Sequence, residues 1–155
     1  MQMKVAFLSF YQQVMERGVE NWLGQLSQRL AWEIEVKVFS PPKISLKQFD
    51  YSSSCWRRFF LDPGSKAIFS FTLSIFSQLK DFDIIVPLNG GWQTLLAKIA
   101  NVIYRKKLVL VGQAGLGYDE RWNLLWRPDL FIALTHAQAQ WIKKYYSGPI
   151  KIIPN

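Results

Sequence analysis

Two short runs in the middle of the chain, Asp83-Ile84-Ile85-Val86-Pro87 and Lys107-Leu108-Val109-Leu110-Val111, are apolar at every position after the first. A strand with one wet face alternates apolar and polar side chains. A run apolar at both parities is expected of a strand covered on both faces, and such strands belong to parallel sheets sandwiched between helices. Stretches with helical spacing lie between the runs, so the sequence predicts an α/β fold, a Rossmann-like parallel sheet flanked by helices.

The opening unit follows the same rule. Lys4-Val5-Ala6-Phe7-Leu8-Ser9 reads as a strand, Tyr11 to Gly18 as a loop, and Val19, Trp22, Leu23, Leu26 and Leu30 as one face of a helix. Glu35 to Phe39 alternates and stops at Pro41-Pro42, a second strand. A turn is predicted at Asp62-Pro63-Gly64, followed by a helix whose stripe is Ile68, Thr72, Ile75, Phe76 and Leu79, with Phe69, Phe71 and Leu73 spreading apolar surface around it. Asn89-Gly90-Gly91 leads into a helix with Leu95, Leu96, Ile99, Ala100 and Ile103 expected inward. A short helix is expected from about Asp119 to Trp126, then a strand over Leu130 to Leu134. Thr135 is suited to cap the next helix, which holds Trp141, Ile142 and Tyr145, and Lys151-Ile152-Ile153 is a last strand.

With 155 residues, half of them hydrophobic, the chain suits one domain spanning 1–155 with a sizeable core. Nineteen Lys and Arg against eleven Asp and Glu leave a formal charge of +8, which favours an anionic partner: phosphorylated substrate, anionic lipid or nucleic acid. The positive charge is scattered and no RNA-module motif is present, which argues against nucleic acid. Cys55 and His136 are the single cysteine and histidine, so no zinc site of Cys/His type and no Ser/His/Asp set is legible. No run reaches the roughly 18 uninterrupted apolar residues of a spanning helix. A cytoplasmic protein is expected. The basic-aromatic segment Cys55-Trp56-Arg57-Arg58-Phe59-Phe60 leaves peripheral contact with an anionic membrane open.

In open parallel sheets ligands bind beyond the carboxyl ends of the strands, so the loops Phe10 to Gly18, Leu88 to Trp92 and Gly112 to Tyr118, each with glycine, should gather on one edge. A glycine at a helix N-terminus lets backbone N–H groups approach an anion closely, although the same residue often serves only as a turn. The dinucleotide spacing is absent after the first strand, Gly112, Gly115 and Gly117 give a different one, and no Walker-type Gly-Lys-Ser/Thr occurs. His136, after a strand and at a helix start, suits a structural or solvent-exposed role better than a general base. Asp119 and Glu120 suit either sugar hydroxyls or stabilisation of a helix N-terminus.

Four segments, in this order, resemble the N-terminal, acceptor-side domain of glycosyltransferase family 4, one half of the two-domain GT-B fold. They are Lys4 to Leu8 followed by Arg17-Gly18-Val19-Glu20-Asn21-Trp22, similar to the family's Gly-Gly-Val-Glu helix opening; Asp81-Phe82-Asp83-Ile84-Ile85-Val86; Asp129 to Thr135; and Ile150-Lys151-Ile152-Ile153-Pro154-Asn155, similar to the passage into the interdomain linker. The resemblance implies a retaining transferase that moves a sugar from a nucleotide-diphosphate sugar to a sugar, lipid or other acceptor, with no metal or other cofactor. It assigns the donor diphosphate to Arg17 and Gly18, a place near the reacting sugar to Gln113, and acceptor contacts to Asn89, Gly90, Gly91 and Asp119. It also implies a C-terminal donor-binding domain absent from this chain, which alone would be inactive. Arg17 stands where the family has its first glycine, and Gln113 where it has histidine. A glutamine can hydrogen-bond a hydroxyl but cannot carry a proton. The alternative is a stand-alone Rossmann-like binding module without catalysis.

Overall fold

The computed structural model describes residues 2–12, 18–42, 63–113 and 118–154, with the side chains of Pro63, Tyr118 and Asp119 left out. Six strands form one parallel sheet: β1 (Lys4–Leu8), β2 (Glu35–Phe39), β3 (Ile84–Pro87), β4 (Lys107–Val111), β5 (Leu130–Ala133) and β6 (Ile150–Ile152). Their order is β2-β1-β3-β4-β5-β6. Val5 is in register with Val36 on one side and Ile84 on the other; Ile84 pairs with Lys107, Val109 with Leu130, and Phe131 with Ile150. The chain leaves β1 toward one edge and returns to build toward the other, so a crevice opens between the carboxyl ends of β1 and β3.

Pleating explains the unbroken apolar runs. Ala6, Leu8, Ile85, Leu108, Leu110, Phe131 and Ala133 enter a core on one face of the sheet, while Val5, Phe7, Val86, Val109 and Val111 enter a second core on the other. Helix α1 (Gly18–Leu30) covers the second face with the stripe its sequence predicts, and Leu23 is fully buried. Burying such a leucine contributes about 1.5–3 kcal/mol.

The first face carries a 3-10 helix at Phe76–Asp81 and the helices α3 (Gly91–Tyr104), α4 (Tyr118–Leu124) and α5 (His136–Ile142). Helix α2 (Pro63–Ser74) packs on α3.

Four expectations are corrected. Pro63-Gly64 opens a helix rather than completing a turn, because a proline in the first helical position gives up an N–H that has no intrahelical partner there. That helix ends at Ser74, and Ile75, Phe76 and Leu79 continue the stripe through the 3-10 segment. The last strand starts and ends one residue earlier than expected.

The inward face of α3 is rotated. Gln93, Thr94, Leu96, Ala97, Ala100 and Asn101 are buried, whereas Ile99 is exposed and Val102 and Ile103 are 64% and 61% exposed. Small alanines let the helix lie close on the sheet, and its polar buried residues fasten the loops at both of its ends.

At the amino-terminal edge of the sheet, Asp129 accepts from the Leu108 N–H (2.9 Å), the Asn101 amide (2.9 Å) and the Lys107 ammonium (3.1 Å). Burial alone would push its carboxyl up, but these donors together hold it below the usual carboxylate range. The Tyr146 hydroxyl donates to the Pro128 carbonyl at 2.7 Å, and burial, with Asp129 nearby, pushes this phenol up and keeps it a donor.

Candidate functional site

Because all strands are parallel, the connections following β1, β3, β4 and β5 leave the same edge of the sheet. The first two are tied to each other: the Phe10 N–H donates to Asn89 Oδ1 at 2.7 Å across the β1–β3 crevice. The Asn89 and Leu88 N–H groups both donate to Gln93 Oε1 at 2.9 Å, so one amide side chain closes the connection from β3 into α3. Gly90 and Gly91 adopt φ of +64° and +52°, a region that a side chain disfavours. The Gly91 N–H donates to Asn123 Oδ1 of α4 at 3.0 Å, and a Cβ on Gly90 would stand 3.0 Å from the Asn123 amide nitrogen. The glycine pair therefore has a structural task, and the Asn89 and Gly91 backbone groups are engaged in holding three connections together.

The β5–α5 connection is built the same way. Thr135 caps α5, accepting the Gln138 N–H at 3.1 Å as its sequence position predicts. Gln138 Oε1 accepts from the Leu134 N–H (2.8 Å), and its amide nitrogen donates to the Gly112 carbonyl (2.8 Å), joining β5 to the end of β4. A Cβ on Gly112 would occupy the place of that amide.

Sequence reasoning missed the common device. In each of α1, α3, α4 and α5 the third helical residue is glutamate or glutamine, Glu20, Gln93, Glu120 and Gln138, and all four are buried. A residue at that position can reach back to the backbone N–H groups before the helix, the reciprocal half of a capping box. The Thr135-His136-Ala137-Gln138 pattern is the legible signal for one of them.

Gly18 is the first residue of α1, exposed, with no atom of the described residues within 4 Å of the position of an added Cβ. Among the described residues no packing contact requires a glycine there. Gln113 follows β4, half-buried, and its side-chain nitrogen is shielded from solvent without a hydrogen-bond acceptor among the described residues. Arg17 lies outside the described residues, as do the side chain of Asp119 and the segment Cys55 to Phe60. His136 is exposed, and Glu120, expected near sugar hydroxyls or at a helix start, is buried inside α4.

Five buried side-chain atoms lack a hydrogen-bond partner among the described residues, and four belong to this edge: Glu20 Oε2, Gln93 Nε2, Thr94 Oγ1 and Gln113 Nε2. They sit on the connections after β1, β3 and β4, the three strands across the crevice. Each such atom costs about 1–3 kcal/mol, so their concentration in one place calls for a reason. Among the described residues no three His, Cys, Asp or Glu side chains gather to ligate a metal, and no helix is long and apolar enough to cross a membrane.

No family model matches the chain, and a search of curated proteins finds no match. Among solved structures, the UDP co-structure of MnaA from S. aureus is similar with a TM-score of 0.54 and 12% sequence identity. The likeness is one of fold. It covers 98% of this chain and 44% of the other, so this chain spans less than half the length of the solved chain it matches. The six-stranded parallel sheet with its flanking helices is a Rossmann-like fold matching a GT-B-like half-domain.

Proposed function

We propose that this chain is the acceptor-side half of an enzyme that handles a nucleotide-diphosphate sugar, with retaining glycosyl transfer as its reaction. The observation that carries the reading is the grouping of four partnerless buried polar atoms on the connections around the β1–β3 crevice. A ligand rich in hydroxyl and phosphate groups supplies partners of both kinds there: hydroxyl donors for Glu20 and oxygen acceptors for the Gln113 and Gln93 amides.

The open face of Gly18 supports the assignment of a diphosphate beside α1, whose N-terminal N–H groups and dipole favour negative charge. Arg17 adds a planar donor fork suited to phosphate. Gln113 holds a sugar hydroxyl and carries no proton, so it orients the reacting sugar rather than acting as acid or base. Asn89, Gly90 and Gly91 set the shape of the acceptor wall, with Asp119 at its border. The solved neighbour of like fold holds UDP, which supports a nucleotide sugar as the ligand; in this reading a second domain completes the cleft.

Glutamine in place of a proton carrier favours one second reading, a binding module without catalysis. Calorimetry with UDP-, GDP- and ADP-sugars on the full-length protein, followed by product analysis with simple sugar acceptors, separates the two. Saturable binding with transfer supports the enzyme, binding without transfer supports the module, and no binding to any member of the panel removes both.

A further inference from the structure

At the opposite, amino-terminal end of the sheet, an open pocket of about 690 Å³ lies between α4 and the turn that leads into β6. Arg121 and Arg127 line it together with Trp122, Leu125 and Tyr145, and no acidic residue is among its walls. Among the described residues neither guanidinium stands within ion-pair distance of a carboxylate; the ion pairs are Lys4–Glu35 and Lys107–Asp129. The Arg121 guanidinium stacks over the Tyr145 ring at 4.5 Å, an arrangement that leaves the edge of the guanidinium plane available for hydrogen bonds.

Four backbone carbonyls beside the pocket already accept hydrogen bonds from other groups of the protein. The carbonyls of Trp122, Asn123 and Leu124 are taken by the N–H groups of Leu125, Trp126 and Arg127, and the Arg127 carbonyl accepts from the Lys98 ammonium at 3.2 Å. Trp126, which lies between Leu125 and Arg127 in sequence but is not itself a lining residue, has an indole N–H shielded from solvent, and among the described residues it is the one such atom without a partner away from the other edge of the sheet. Leu125 is 63% exposed and Tyr145 46%, so apolar and aromatic surface stands beside the two cations. Unpaired fork-shaped cations next to a ring and an apolar wall, in a concave site, suit a phosphate ester carried on a small ring.

We propose that this pocket binds a soluble phosphate ester of a ring compound, the phosphate held by Arg121 and Arg127 and the ring against Tyr145 and Leu125. The site is separate from the crevice, since a strand of five residues spans about 16 Å. A ligand here reaches no group of the proposed transfer reaction and therefore acts as an effector or a scaffold for the pocket wall.

The test is a nuclear magnetic resonance titration of the full chain with ribose 5-phosphate, with inorganic phosphate and anionic phosphatidylglycerol vesicles as parallel arms. The expected result is a saturable shift of the Trp126 indole resonance and of the backbone amides of 121–128 and 145–148 by ribose 5-phosphate, weaker with inorganic phosphate. Arg121→Gln, a change at an exposed position, should weaken binding about tenfold, and Arg127→Asn, which keeps a residue tolerant of the φ of +45° found there, should do the same. Unchanged affinity in both variants overturns the proposal. So do shifts confined to residues 9–12, 88–93 and 113, or a response to vesicles alone.

Discussion

The glycines separate into those the protein's packing needs, such as Gly112, and those that meet nothing among the described residues, Gly18 and Gly24. Gly112 lies against the Gln138 amide, so Gly112→Ala should displace that side chain and cost about 1–3 kcal/mol in urea unfolding through the bonds lost at Leu134 and at the Gly112 carbonyl. Gly18 meets none of the described residues, so Gly18→Val should leave unfolding stability within about 0.5 kcal/mol while weakening nucleotide-sugar binding. Asp129 gives a pH signature. Its carboxyl is depressed in the folded state, so its contribution is present above the ordinary unfolded value of about 4 and is lost as the pH falls through the lower folded one. Urea midpoints measured from pH 6 to pH 2 should therefore fall at the acid end, and Asp129→Asn should start lower and fall less.

Among the elements, α3 shows how far a pattern of apolar residues reaches. Strands β3 and β4 were legible because both parities of each run are apolar, which only a doubly covered strand requires. Leu96 and Ala100 face inward as expected, but the rest of the face was not legible, because Ala97 faces the sheet by virtue of being small while Ile99 and Ile103 face outward. Gln93 and Asn101 are buried for hydrogen bonds, to the β3–α3 connection at one end and to Asp129 and the Lys106 carbonyl at the other. Counting apolar positions is blind to both reasons. The glycine-bearing connections were legible as an edge from chain order alone; Glu20, Gln93 and Thr94 were not, since polarity at a helix start does not reveal burial. Ala100→Leu should cost about 1–3 kcal/mol by overpacking, and Ile103→Lys should stay within about 0.5 kcal/mol, both read from urea midpoints. A cost above about 1 kcal/mol at Ile103 would place that residue on the inward face expected from the sequence.

Over the whole molecule the two ends of the sheet differ in how their polar groups are used. At the amino-terminal edge Asp129 and Tyr146 find hydrogen-bond partners within the protein, and Trp126 Nε1 is the one buried side-chain atom there without a partner among the described residues. The carboxyl edge is held in shape by Asn89, Gln93, Asn123 and Gln138 and yet keeps four buried polar atoms without partners among the described residues. The account's central claim is that this second edge is one wall of a cleft for a nucleotide-diphosphate sugar. The most direct test compares the full-length protein and its Gly18→Val variant by calorimetric titration with whichever nucleotide sugar binds the parent protein. The account predicts at least a tenfold loss of affinity with an unchanged urea midpoint; equal affinity in the two proteins would contradict it.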